Sequence, residues 1–365
     1  MGAGSDGQVS DPGRAFVRPA WLPRWLAWTP PSGGAHYRPQ LDGLRSVAVM
    51  LVLYSHFWDP ASLASAFGVK LFFVLSGYLI TGILLDARGV PGAKLRHFYL
   101  RRGLRLWPAY YLVLGLAVLA NADGIRAVAW WHALYASNVL FALREAYVPW
   151  LTAAWWSLAV EEQFYLLWPL IILTVPNRLH AVSCLVLVGL GLAIRLLLDF
   201  SGAADQVYSL LPAVLDGLAG GALLTVLRRA GARSLVLLPA AGLAGLAVWA
   251  GLLFAGMGET TWATLPLLAA LMALVDRGAN GPPDTLARAL SLSPAVFLGR
   301  ISYGIYLYHL PLWWLVMHST DWWRVSSRGP VLFAGMALLT ILVATLSWFL
   351  LEAPANRLKR RFPYP

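Results

Sequence analysis

Apolar runs of membrane-crossing length recur along this chain, separated by short polar breaks. A helix needs roughly 17–25 mostly apolar residues to cross a hydrocarbon core of about 30 Å. Ten runs meet that need: 42–58, 68–86, 104–120, 157–175, 180–199, 208–227, 235–255, 261–276, 296–318 and 331–351. The pattern predicts an all-α fold, a polytopic transmembrane helix bundle of about ten spanning helices. An eleventh apolar stretch, 127–143, holds His132, Asn138 and several aromatic residues. It either spans or lies as an interfacial or re-entrant helix. No internal repeat stands out, and the longest polar connection, about twenty residues near 277–295, is too short for a soluble domain. One membrane domain is expected over 38–356, between tails at 1–37 and 357–365.

Composition narrows the class further. Of 365 residues, 59% are hydrophobic and 12% charged, and the mean hydropathy is +0.64. That excludes a soluble globular domain, disorder, collagen and coiled coil. The net charge of +11 invites a nucleic-acid partner, but its placement argues for the membrane. With the N-terminus inside and 127–143 not spanning, the clusters around Arg96 and Arg101, Arg228 and Arg229, Arg277 and Arg288, and Arg357 to Arg361 all fall on the cytoplasmic side. The positive-inside rule then puts both termini in the cytoplasm of a multi-pass protein of the cell membrane, with no nucleic acid. The first 37 residues, rich in Gly, Pro, Arg and Trp, read as a flexible basic cytoplasmic tail at the membrane surface. The single cysteine, Cys184, permits neither an internal disulfide nor a Cys-based metal site. No metal is expected.

A charge at the bilayer centre costs at least about 2.5–3.5 kcal/mol, so each one kept there needs a reason. In the first span Asp42 and Arg45 are three apart and share a face. Arg45 and His56 are eleven apart, three turns and about 16 Å along the same stripe. The alternatives are snorkelling for Arg45 and a helix–helix hydrogen bond for His56. Their shared stripe favours an inward site in which guanidinium and imidazole open onto a common cavity. The second span supplies Ser76 and Gly77. The third opens with Arg102 and Arg105 on one face, a pair suited to a polyphosphate. Positive-inside anchoring explains Arg96 and Arg101 but not Arg105, which lies within the apolar run.

In Trp155-Trp156-Ser157-Leu158-Ala159-Val160-Glu161-Glu162-Gln163-Phe164-Tyr165 the adjacent carboxylates point about 100° apart. Glu161 is expected inward and Glu162 at the interface; the bland alternative pairs Glu161 with a lone arginine such as Arg195. Tyr303, Tyr306 and His309 lie on one stripe. An aromatic belt could account for the tyrosines, and backbone freed by Pro311 for His309.

Together these pieces resemble the acyltransferase 3 family of integral membrane acyltransferases. The matching segments run in family order over about 38–358: Leu41-Asp42-Gly43-Leu44-Arg45 with His56; Gly68-Val69-x-Leu71-Phe72-Phe73-Val74-Leu75-Ser76-Gly77; Arg102-x-x-Arg105 before Pro108; Trp156-Ser157-Leu158 into Glu161-x-x-Phe164-Tyr165; Ser302-Tyr303 with Tyr306-Leu307-x-His309; and Leu351-Glu352-x-Pro354. The resemblance implies transfer of a short acyl group, usually acetyl, from acyl-CoA as co-substrate to a hydroxyl of a carbohydrate or glycosylated small molecule.

By the same resemblance, His56 is the catalytic histidine and Arg45 belongs to its signature. Arg45, Arg102 and Arg105 are the expected coenzyme A-binding residues, the last two on its phosphates, and Glu161, the glutamate of the fourth span, joins His56 as an expected catalytic residue. Asp42, Ser76, Tyr303 and His309 are the expected substrate-side residues. Two departures stand out: Lys70 sits where many relatives have Asp, and the chain ends at Pro365 without the SGNH-type domain of long members. That ending leaves open the stand-alone branch of the family, which includes enzymes acylating macrolide sugars and other small glycosides. The richness in Ala, Gly, Leu and Arg fits a high-GC bacterium.

The expected mechanism is direct transfer. His56 acts as general base on the acceptor hydroxyl, and Arg45 or Tyr303 meets the oxyanion. A covalent acyl-histidine is the variant if donor and acceptor lie across the membrane from each other. The alternatives are a transporter or flippase of a glycolipid or antibiotic, with the intramembrane charges as a proton relay, and a structural subunit that kept only the scaffold.

Overall fold

A computed structural model describes residues 37–87, 89–257, 260–319 and 329–362; the predicted tail over 1–36 lies outside them. Every predicted span is helical, and no strand occurs among the described residues. The helices are α1 (Pro39–Phe57), α2 (Ala64–Asp86), α3 (Pro91–Ala120), α4 (Ala129–Ala133), α5 (Ser137–Arg144), α6 (Trp155–Thr174), α7 (His180–Ser201), α8 (Leu211–Arg229), α9 (Leu238–Phe254), α10 (Thr261–Asn280), α11 (Thr285–Leu290), α12 (Ser293–Arg300), α13 (Ser302–Ser319) and α14 (Pro330–Ser347). A π-helical turn, Trp348–Glu352, continues α14 into the short α15 (Ala353–Arg357).

Seven helical segments, containing α2, α3, α7, α8, α9, α10 and α14, are long and apolar enough to cross a membrane. The three remaining expected spans match α1, α6 and the α12–α13 pair. They fall short because they carry Arg45 and His56, Glu161 and Glu162, and Tyr303 and His309. The expected span 296–318 is two helices meeting at Ile301 rather than one. The break lets α12 lie against the start of α1, where a Cβ on Gly299 would sit 1.8 Å from the Asp42 carbonyl oxygen.

The stretch 127–143 forms α4 and α5, of 5 and 8 residues. At 1.5 Å per residue, neither can cross a bilayer. Polar side chains of α3 and α6 donate to backbone carbonyls of this segment. Tyr110 donates to the His132 carbonyl at 2.9 Å, and Gln163 donates to the Tyr135 carbonyl at 2.9 Å. His132 and Asn138 are fully buried.

Ion pairs gather the basic residues at one end of the bundle. Arg229 reaches Asp86 at 2.5 Å, joining the last turns of α8 and α2. Arg228 grips Asp276, joining α8 to α10. Arg101 donates to the carbonyls of Lys359 and Phe362, both at 3.0 Å, tying the start of α3 to the C-terminal segment. At the opposite end the Gly329 amide donates to the Phe57 carbonyl at 3.2 Å, and Trp150 packs edge-on against Trp313.

The helix pair α2–α8 sets the interior. A Cβ on Gly77 would lie 1.9 Å from the Leu218 carbonyl oxygen, and one on Gly221 2.0 Å from that of Val74. The two backbones therefore touch, as small residues allow between membrane helices. Outer faces of α7, α9 and α14 present Val186, Leu243 and Leu338, all exposed, where lipid would cover them.

Candidate active site

Two cavities share a wall inside the bundle. The first is a narrow cleft of about 60 Å³. It collects Arg45 from α1, Ser76 from α2, Arg102 and Arg105 from α3, Glu161 from α6 and Tyr303 from α13. Six of the nine residues singled out in the sequence thus meet at one place. The second is a chamber of about 650 Å³ with His56 in its lining. Val69, Phe73 and Tyr306 line both. Arg45 and His56 do face inward, but onto two adjoining cavities rather than one common cavity, because three helical turns separate them.

The cleft is strongly cationic. Glu161 is its sole acid, and both carboxylate oxygens are occupied: Ser76 donates to Oε1 at 2.7 Å and Tyr165 to Oε2 at 3.0 Å. Arg102 stacks on Tyr165, 3.6 Å from the ring centroid. The Nε groups of Arg45 and Arg102 are buried without a hydrogen-bond partner. Unpartnered buried donors are costly, and three guanidiniums around one spent carboxylate make a site for an anion. The two glutamates diverge as their spacing predicts: Glu162 lines a separate pocket of about 270 Å³ with Trp107 and Tyr135. Arg195, the bland partner considered for Glu161, lines the chamber instead.

His56 Nδ1 lies 3.0 Å from the Val52 carbonyl of its own helix. A carbonyl can only accept, so Nδ1 carries the proton and Nε2 keeps the lone pair of a base. His309 stands behind it, fully buried, with ring centroids 5.0 Å apart. It lines neither cavity. Its Nδ1 bonds the Tyr306 carbonyl at 2.5 Å, and its Nε2 has no hydrogen-bond partner. The backbone freed by Pro311 is served by another side chain: the Leu307 carbonyl, four residues earlier, accepts from Trp155 Nε1 at 3.2 Å.

Two further expected residues are committed elsewhere. Asp42 faces Arg300 at 3.7 Å and lies outside both cavities. Tyr303 lines the cleft but spends its hydroxyl on the Leu106 carbonyl at 2.9 Å. Tyr306 donates to the Ala154 carbonyl at 2.9 Å and pairs with Ser157 at 2.7 Å, fixing the shared wall.

The sequence reasoning passed over Asp216. It is fully buried on α8 and lies 2.8 Å from Lys70 Nζ on α2. The signal was present: each is a lone charge in an otherwise apolar stretch, and the two are opposite in sign. Glu352, also buried, accepts from Ser347 at 3.0 Å within the π-helical turn. No cluster of three His, Cys, Asp or Glu suited to a metal occurs among the described residues.

Comparison with known proteins adds a second line of evidence. A family described as an acyltransferase domain matches residues 38–350. The O-acetyltransferase OatA of Staphylococcus aureus, from strains NCTC 8325 / PS 47, COL and MRSA252, is 29% identical over 362 residues. The match covers 88% of this chain and 57% of each relative, so the chain spans little more than half the length of these proteins. No solved structure gives a significant match.

Proposed function

The chain belongs to the acyltransferase 3 family, and from that premise we propose that it moves a short acyl group, acetyl first, from acyl-CoA to a hydroxyl of a carbohydrate or glycosylated small molecule. The observation that carries this is the pairing of a guanidinium-lined cleft with a histidine-lined chamber across one shared wall. Donor and acceptor would enter from opposite ends and meet at Val69, Phe73 and Tyr306. The basic end faces the cytoplasm, where the donor is found.

The donor's phosphates sit at Arg102 and Arg105, joined by Arg45. Arg45 belongs with this group rather than with the oxyanion, because about 16 Å of helix separates it from His56. Tyr303, the other oxyanion candidate, has no hydroxyl proton to spare. The pantetheine arm is long enough to carry the thioester from the arginines to the shared wall. The narrowness of the cleft suits a small acyl end. Glu161, held by Ser76 and Tyr165, keeps the arginines apart and oriented.

At the wall, the acceptor hydroxyl gives its proton to His56 Nε2 as its oxygen attacks the thioester carbonyl. The C–S bond breaks, the C–O bond forms, and the imidazolium returns the proton to the departing thiolate. The ester and free coenzyme A leave by their own ends. Purified protein in lipid nanodiscs should consume acetyl-CoA, and Arg102→Ala with Arg105→Ala should raise the donor KM at least tenfold. An unchanged KM would remove the arginines from donor binding. Absence of thioester binding would favour the transporter alternative.

A further inference from the structure

The chamber wall formed by α7 carries a cation that the transfer chemistry does not use. Arg195 lines the chamber, and its Nε is buried without a hydrogen-bond partner. No carboxylate lies within 4.0 Å of its guanidinium among the described residues. The Tyr208 ring lies 5.6 Å away. Asp199, one turn further along α7, and Asp205 also line the chamber; Asp199 accepts from Tyr208 at 2.7 Å and its charge interacts with that of Arg195 without a contact inside 4.0 Å. Lys70, the second cation of the lining, is neutralised by Asp216 at 2.8 Å. Among the described residues Arg195 is thus the chamber cation with no ion pair within 4.0 Å and with a free Nε edge, in a space also lined by Phe67, Trp156 and Trp249 and by the carboxylates of Asp199 and Asp205.

We propose that this chamber is the acceptor site and that Arg195 reads an oxyanion on the acceptor, making the substrate class an acidic saccharide that carries a carboxylate or phosphate. The proposal rests on the transferase reading for the word acceptor, but not for the binding itself. A guanidinium whose Nε edge is free takes a carboxylate or phosphate side-on through two parallel hydrogen bonds, and within a chamber such contacts are strong. The aromatic faces suit the apolar C–H faces of a sugar ring. The chamber volume lies within the ordinary range of small-molecule sites, about 300–1,000 Å³.

The test measures binding by the full chain in nanodiscs of paired sugars: methyl glucuronide against methyl glucoside, and glucose 6-phosphate against glucose. At least one anionic partner should bind about tenfold tighter than its neutral counterpart, as expected for hydrogen bonds to a charged group. Arg195→Gln should erase the preference while leaving neutral-sugar binding in place. Which pair shows the preference distinguishes carboxylate from phosphate. If the Gln variant does not fold, Arg195→Lys, which keeps the charge but not the fork, should shrink the preference severalfold. Equal affinities within both pairs, or a preference undiminished in these variants, would overturn the proposal. Failure of acetyl-CoA consumption would sink the transferase reading separately, since this comparison involves no donor.

Discussion

The hydrogen bond from His56 Nδ1 to the Val52 carbonyl leaves Nε2 as the nitrogen that would serve as base in the proposed transfer. The other individually decisive side chains are the charged pair Lys70 and Asp216. Removing one member of a buried pair leaves an uncompensated charge and costs about 3–5 kcal/mol. Asp216→Asn should therefore lower stability by an amount of that order. Lys70→Met with Asp216→Leu should restore most of it, measured as a thermal double-mutant cycle in nanodiscs. A double-variant loss equal to the sum of the two single-variant losses would show that the pair is not coupled.

His132, in the segment outside the crossings, gives a pH prediction. Burial is the larger influence and lowers its imidazole to about 4, against the opposing effect of the hydrogen bond it donates to the Val128 carbonyl. A histidine kept neutral in the fold loses stability as acid charges it. The loss begins near the unfolded value of about 6.5 and grows to roughly 3 kcal/mol by pH 4. Hydrogen exchange across 121–154 should accelerate over that window, and His132→Gln should flatten the response.

Among the elements, α2 and α8 are the pair whose contact everything else surrounds. Gly77→Val places a branched side chain where a Cβ already falls 1.9 Å from a carbonyl. It should destabilise by at least about 1–3 kcal/mol. Gly115→Ala on α3, where a Cβ meets nothing within 4 Å, should be neutral or slightly stabilising. Comparing the two melting temperatures separates close packing from a general intolerance of substitution. The helices themselves were legible from the apolar runs, because hydropathy reports length and composition directly. The break at Ile301 was not: no proline or glycine cluster marks it, and it arises from α12 packing onto α1. Hydropathy also undervalued α1, α6 and α13, since the residues that make them useful are the residues that make them polar.

Across the whole molecule, seven of the nine residues singled out in the sequence line a cavity, but their spacing could not show that six share the cleft while His56 lines the adjoining chamber. Periodicity sets the direction of a side chain and its height along one helix. It does not report what a second helix puts between two residues on one stripe, and here Phe73 and Tyr306 divide Arg45 from His56. His309 and Asp42 are on the expected faces, yet one backs His56 and the other meets Arg300. Arg195 reaches the chamber, and Asp216 reaches Lys70 in its lining, only through packing of α7 on α8 and of α8 on α2. In the proposed transfer donor and acceptor meet at the shared wall, with His56 as the base and His309 behind it against Tyr306. The most direct measurement is acetyl-CoA turnover by purified His56→Ala in nanodiscs, alongside the wild type. The account predicts a fall of about 10²–10⁴-fold in kcat with little change in donor KM, as for loss of a general base. Turnover within a few fold of the wild type would contradict it.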